Sequence, residues 1–428
     1  MRLRHNLHLA YCTNIHRGES WAETFGNLER HTLALKQRVC VGAPFGIGLR
    51  LSAQAALELS DPATLRRFQD WLDLNDCYIF TLNGFPYGRF HGARVKEQVY
   101  APDWTTTERL DYTKRLFTLL AELAPPDAEG SVSTVPGSFK AFIRNEAQVR
   151  AMRAHLWACI EFIARLSERT RRRLHLGLEP EPLCFLETSQ ETVDFFDALR
   201  DERPGDPRLD EHLGVNYDTC HLAVEFEEPA EVLARFRAHQ VKISKIHLSS
   251  ALSVRPLAQV RQALAAFADD TYLHQVVVRD DRGTLTRYRD LDLALAERAA
   301  VSAADREEWR IHFHIPLHCR PAAGCDPGGN RQQLDFAGQL NQRVFDDTSD
   351  HLCGALDALA REPGRCSHLE METYTWEVLP PELKNRNVVD QLAAEYQWTL
   401  GQLEQRGLAP PGHTTEQGSQ NRAGLAPR

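Results

Sequence analysis

Short runs of alternating apolar and polar residues recur along this chain. Between them lie longer stretches with apolar residues three and four apart. Leu7-His-Leu9-Ala-Tyr11-Cys-Thr-Asn14 alternates and predicts a first strand, and the apolar positions Trp21, Phe25, Leu28, Leu33 and Leu35 predict a helix from Ser20 to about Arg38. The same rhythm predicts strands over 45–51, 77–84, 130–137, 174–181, 213–218 and 241–248. The intervening helices are predicted over 62–72, 105–123, 146–171, 191–200 and 230–239. Such strict alternation predicts parallel strands joined by crossover helices.

The rhythm breaks over 249–350, which reads as an insertion. It holds a helix near Leu257–Phe267, a hairpin of 273–278 with 284–288, an extended run 311–317 and a Gly/Pro/Asn-rich loop, Pro321–Asn330. A last strand, His368–Tyr374, and a helix over 387–405 close the domain. The expected architecture is an α/β fold, a (β/α)₈ TIM barrel over residues 1–408 with its insertion after strand seven. The aperiodic tail 409–428 is expected to be disordered. A doubly wound sheet is disfavoured because no glycine-rich phosphate loop follows the first strand, the Gly46-x-Gly48 pair being too weak a signal.

Composition narrows the function classes. A formal net charge of −9 argues against a nucleic-acid partner, and no apolar run is long enough to insert into a membrane. Ten cysteines without a C-x-x-C pair, and no secretion signal, point to reduced thiols and a cytoplasmic location.

The chemistry collects at strand ends. In Leu213-Gly-Val215-Asn-Tyr217-Asp218, Leu213, Val215 and Tyr217 share one face and Asn216 and Asp218 the other. Glu179, His247 and Glu372 end three further runs in the same way. Each alone reads as an ordinary acid or core histidine. All four ending strands of one barrel would aim at one point, and three carboxylates with an imidazole suit Mn²⁺, Mg²⁺, Co²⁺ or Zn²⁺. His312 and His314 share a face, and with His221 they read as ligands of a second ion, Zn²⁺ by chemistry; His318 does not fit the same spacing. Glu181 and Glu370, two residues before or after a strand-end acid, read as supporting groups or alternative ligands. Lys245 falls on the inward parity unless the register turns. The basic run Arg169–Arg173 reads as a solvated helix end.

These motifs resemble the xylose-isomerase-like barrel superfamily, which includes sugar isomerases, ketose 3-epimerases and abasic-site endonucleases. The carrying residues are Leu-Glu179, Asp218-Thr-x-His221, Ile-His247-Leu and Met-Glu372. More narrowly, Tyr11–His16, Gly177–Pro182, His312–Leu317 and Glu372–Pro380 resemble the EboE family, the E proteins of the Ebo metabolite-traffic operon. The resemblance implies a metal site of Glu179, Asp218, His247 and Glu372 and contact with other proteins of such an operon. It departs from the endonuclease branch at Leu248-Ser249-Ser250, where that branch has Asn-Asp-Ser.

The expected activity is that of a metal-dependent isomerase or epimerase acting on a small sugar-like or polyhydroxylated metabolite. Glu179 and Glu372 would move protons beside a carbonyl. The alternatives are a metal-dependent phosphodiesterase of the abasic-site endonuclease type and a non-catalytic metabolite carrier.

Overall fold

The computed structural model describes residues 1–89, 91, 95–268, 271–298, 306–318, 345–375 and 387–411. Eight strands form one parallel sheet: β1 (His8–Tyr11), β2 (Phe45–Arg50), β3 (Cys77–Asn83), β4 (Gly130–Thr134), β5 (Leu174–Leu178), β6 (Leu213–Asp218), β7 (Lys242–Leu248) and β13 (His368–Met371). Their order is β1-β13-β7-β6-β5-β4-β3-β2, so each strand pairs with its neighbour in sequence once the insertion is set aside. The two edge strands, β1 and β2, meet through a parallel bridge between Cys12 and Gly48, which closes the ring there. The fold is a (β/α)₈ barrel.

Strand alternation decides what enters the ring. Leu174, Leu176 and Leu178 of β5 pack outward against helices, while His175, Gly177 and Glu179 point inward. In β7 the pairing with β6 slips by one residue between Ile243 and Lys245, so that Ser244 is the extra residue. Ser244 and Lys245 consequently both face the interior, where Ser244 meets His175 and Lys245 meets Glu370. Lys245 therefore lies inside the barrel. Its charge is matched there, Nζ being 2.5 Å from Glu370 Oε2 and 3.0 Å from Ser133 Oγ. Room for Glu370 comes from Gly48 across the ring, because a Cβ at that position would overlap the carboxylate.

The insertion builds its own antiparallel sheet, in the order β10-β9-β11-β8-β12: β8 (Leu252–Val254), β9 (Val276–Arg279), β10 (Leu285–Tyr288), β11 (Glu308–Ile311) and β12 (Phe345–Asp347). β9 and β10 are the anticipated hairpin. The extended run 311–317 is strand only at Ile311; beyond it the chain leaves the sheet and turns over the barrel mouth. The sheet rests on the short helix Thr219–Val224, where Ala251 and Val277 pack with Cys220 and Val224. The helices Ala53–Leu59, Thr219–Val224, Leu291–Glu297 and Ser349–Arg361 are absent from the periodicity reading. All but the last are only one or two turns long, too short for a 3.6-residue period to stand out. Residues 321–330 and 412–428 lie outside the described residues, and Ala409 is buried. Among the described residues no helix is long and apolar enough to cross a membrane.

Candidate metal centre

The carboxyl ends of β5, β6, β7 and β13 meet at one point. There the ligand atoms of Glu179, Asp218, His247 and Glu372 lie within 4.8 Å of one another, all buried. His247 Nδ1 is 3.0 Å from Glu179 Oε1, 3.1 Å from Glu372 Oε2 and 3.5 Å from Asp218 Oδ2. Ligand atoms held about 2.0–2.2 Å from a common ion stand roughly 3.0–3.5 Å apart, and these separations match that spacing. A single N–H cannot serve three carboxylates. Glu179 Oε2 and Asp218 Oδ2 are buried with no hydrogen-bond partner at all. A dication answers both problems, and the donor set fits one.

Asp218, Glu372 and His247 are each aimed by a second contact. Asp218 caps the helix Thr219–Val224 with Oδ1, which accepts from the Cys220 and His221 amides and from Ser249 Oγ, leaving Oδ2 for the centre. Glu372 Oε1 accepts from Asn14 at 2.7 Å and Asn83 at 3.1 Å, leaving Oε2 for the centre. His247 gives its far nitrogen, Nε2, to Glu370 at 2.9 Å, which turns Nδ1 inward. Burial disfavours the His247 imidazolium, but Glu372 and Glu179 outweigh it and hold the ring's pKa well above its usual value. Burial likewise opposes ionisation of Asp218, and His221 and His314 overcome it, so its pKa lies well below the usual carboxylate range.

Beside this tetrad lie three imidazoles. His312 Nε2 is 3.2 Å from His314 Nε2, which is 3.4 Å from His221 Nε2. Each ring's other nitrogen donates to a carbonyl: His221 Nδ1 to Pro180 O, His314 Nδ1 to Glu372 O, and His312 Nδ1 to Gln275 Oε1 at 2.7 Å. The Gln275 orientation is set by its amide donating to Glu181, to the Pro182 carbonyl and to the Tyr100 hydroxyl, which itself donates to Glu181. Three Nε2 atoms therefore face one another, a donor set suited to Zn²⁺. Burial pushes the pKa values of His312 and His314 below the usual one. Asp218 belongs to both clusters, since it also groups with His221 and His314, and Glu181 groups with His221 and His312. Burial raises the Glu181 carboxyl to about 7.

A cleft opens above. Glu179 and Glu372 line it, whereas Asp218 and His247 do not.

The structure thus brings Glu179, Asp218, His221, His247, His312, His314 and Glu372 into one connected cluster. His318 stands apart, beside Gln391. Glu370 and Glu181 are the supporting acids, below and beside the centre. The sequence reading missed Asn14, Asn83, Tyr100 and Gln275. Asn14 and Asn83 also end predicted strands, and that position was the available signal; Gln275 and Tyr100 carry none.

No family model matches this chain, and no curated protein matches it. Several solved structures are similar. The structure of L-ribulose 3-epimerase is 13% identical, covering 94% of this chain and 95% of that one, with a TM-score of 0.47. A xylose isomerase-like TIM barrel protein from Mycobacterium smegmatis in complex with magnesium is 13% identical, covering 95% and 99%, with a TM-score of 0.46. The IolI protein with a bound zinc atom is 16% identical over 57% of this chain and 73% of that one, with a TM-score of 0.36.

Proposed function

We propose that this protein is a metal-dependent isomerase or epimerase of a small sugar-like or polyhydroxylated metabolite. The observation that carries the reading is the meeting of Glu179, Asp218, His247 and Glu372 at the carboxyl end of the barrel, with two buried carboxylate oxygens left without a hydrogen bond. Glu179, Asp218, His247 and Glu372 hold one ion, and His221, His312 and His314 hold a second. Ions bound there supply Lewis-acid polarisation of substrate oxygens. Glu179 and Glu372 are the two tetrad members that reach the cleft, so they face a substrate and move the proton next to its carbonyl. Burial tends to raise the Glu372 pKa, but neighbouring His247 lowers it below the usual value, which keeps this group ionised as the base. Asn14 and Asn83 fix its orientation.

The EboE resemblance favours a reaction in a metabolite-synthesis or traffic pathway, with other proteins of that operon as its proposed partners. The three-imidazole cluster is also what a phosphodiesterase of the abasic-site endonuclease type would need. That reading asks for a basic groove, and among the described residues lining the cleft Lys96 is the only one with an ammonium or guanidinium group.

The test is elemental analysis of protein purified without chelator, combined with an isomerisation and epimerisation panel of free sugars and cyclitol ketones. Metal-dependent turnover lost in Glu179→Gln and Glu372→Gln is expected. Both variants retaining metal and turnover would refute the reading, and metal-dependent nicking of an abasic-site duplex would select the phosphodiesterase.

A further inference from the structure

The cleft above the metal centre is lined by two unlike sets of residues. One is polar and includes Glu179, Glu372, His221 and His312. The other supplies apolar walls and includes Phe85, Pro86, Val95, Val99, Tyr272 and Leu273. A bare sugar presents hydroxyls on every side, and burying them against such walls leaves donors unpaired. A phosphate ester needs fixed cations or a helix N-terminus. Lys96, at the rim, is already bound, its Nζ lying 2.6 Å from Asp290 Oδ2.

These walls are built into the fold. Arg109 is fully buried and donates to the carbonyls of Gly84, Phe85 and Pro102, which holds both ends of the loop after β3. The amides of Val95 and Lys96 both donate to Thr271 O at 3.0 Å, stapling that loop to the insertion just before Tyr272 and Leu273. Barrel and insertion therefore both contribute apolar lining to one cleft, which Glu179 and Glu372 also line.

We propose that the natural ligand joins a small polar head, with adjacent oxygens for the metal centre, to an apolar substituent, aromatic or branched alkyl, that lies between Phe85, Val99 and Leu273. It carries no phosphate. This inference rests on the metal-centre reading above. The reaction takes place on the head, and the substituent supplies binding energy and orientation.

Hydroxamates chelate through two adjacent oxygens, so they test the head and the substituent separately. Metal-loaded full-length protein is titrated calorimetrically with acetohydroxamate, benzohydroxamate and phosphoglycolohydroxamate. The ring of benzohydroxamate is expected to improve affinity at least tenfold over the methyl group. That ratio is expected to fall below threefold in Val99→Asp and in Leu273→Asp, with metal content read on the same samples to show that the variants fold. Equal affinity for acetohydroxamate and benzohydroxamate, or preference for the phosphorylated chelator, would overturn the apolar ligand while leaving the metal centre standing. Protein that binds neither metal nor any hydroxamate would overturn both.

Discussion

Glu370 Oε2 lies 2.9 Å from His247 Nε2, and this contact turns the imidazole so that its other nitrogen faces Glu179, Asp218 and Glu372. The same carboxylate is paired with Lys245. Burial opposes its charge, yet Lys245 and His247 hold the Glu370 pKa at about 2. Removing one partner strands the other in the barrel, so Lys245→Met is expected to cost about 3–5 kcal/mol in urea unfolding. Lys245→Met/Glu370→Leu should recover part of that loss, yet bind metal about 10–100-fold more weakly because His247 is no longer aimed. Normal stability in the single variant would contradict this account.

Asp218 is shared by the two ligand clusters, whereas Glu179 and His314 each belong to one of them. Elemental analysis should find two ions per chain in the parent protein. His314→Ala is expected to retain one, Glu179→Gln to retain the other, and Asp218→Asn to lose both. A full complement in Asp218→Asn would show that the clusters are not bridged.

Without metal, His247 is held protonated by Glu372 and Glu179 against the penalty of burial. Its pKa is raised, so the proton stays on through neutral pH and a metal must displace it. Calorimetry in buffers of different ionisation enthalpy should register about one proton released for the ion at this site. Affinity should weaken as pH falls. Uptake independent of both buffer and pH would count against His247 as a ligand.

Glu395, on the helix Val388–Gln405, is buried and accepts from the Leu317 amide and the Thr373 hydroxyl, tying the segment after His314 to the residue after Glu372. Burial lifts its pKa from 4.5 to about 7. A raised carboxyl contributes stability that is complete below pH 4.5 and is lost as pH rises through 7. Relative to Glu395→Gln, the parent protein should therefore be about 3 kcal/mol more stable at pH 4.5 than at pH 8, at about 1.36 kcal/mol per pKa unit. Parallel stability–pH curves for the two proteins would show that Glu395 does not titrate as described.

Gly48 faces the Glu370 carboxylate across the ring, and a Cβ there would overlap it. Gly48→Ala should destabilise the barrel by about 1–3 kcal/mol and lower metal affinity, since Glu370 must swing away from His247. Unchanged thermal unfolding and metal content would show that the interior has slack.

Strand and helix periods are local properties of a chain, which is why the eight-strand ring and its insertion were legible before any coordinates. The alternation also decided which side chains face inward. That is how Glu179, Asp218, His247 and Glu372 were picked out as strand-end residues, and why His312 and His314 were seen to share a face. Other features depend on distances between segments hundreds of residues apart, as with Asn14 and Glu372. The extra residue, which brings Ser244 to the interior beside Lys245, exists only as a mismatch between paired strands. The choice of His247 Nδ1 over Nε2 is made by Glu370, and the tautomers of His221, His312 and His314 are made by carbonyls of other segments. The apolar lining of the cleft forms only where two separate loops meet. Sequence by itself determined the residue types and the faces they occupy; tertiary structure decided which lone pairs converge, because a hydrogen bond is directional and its partner can lie anywhere along the chain.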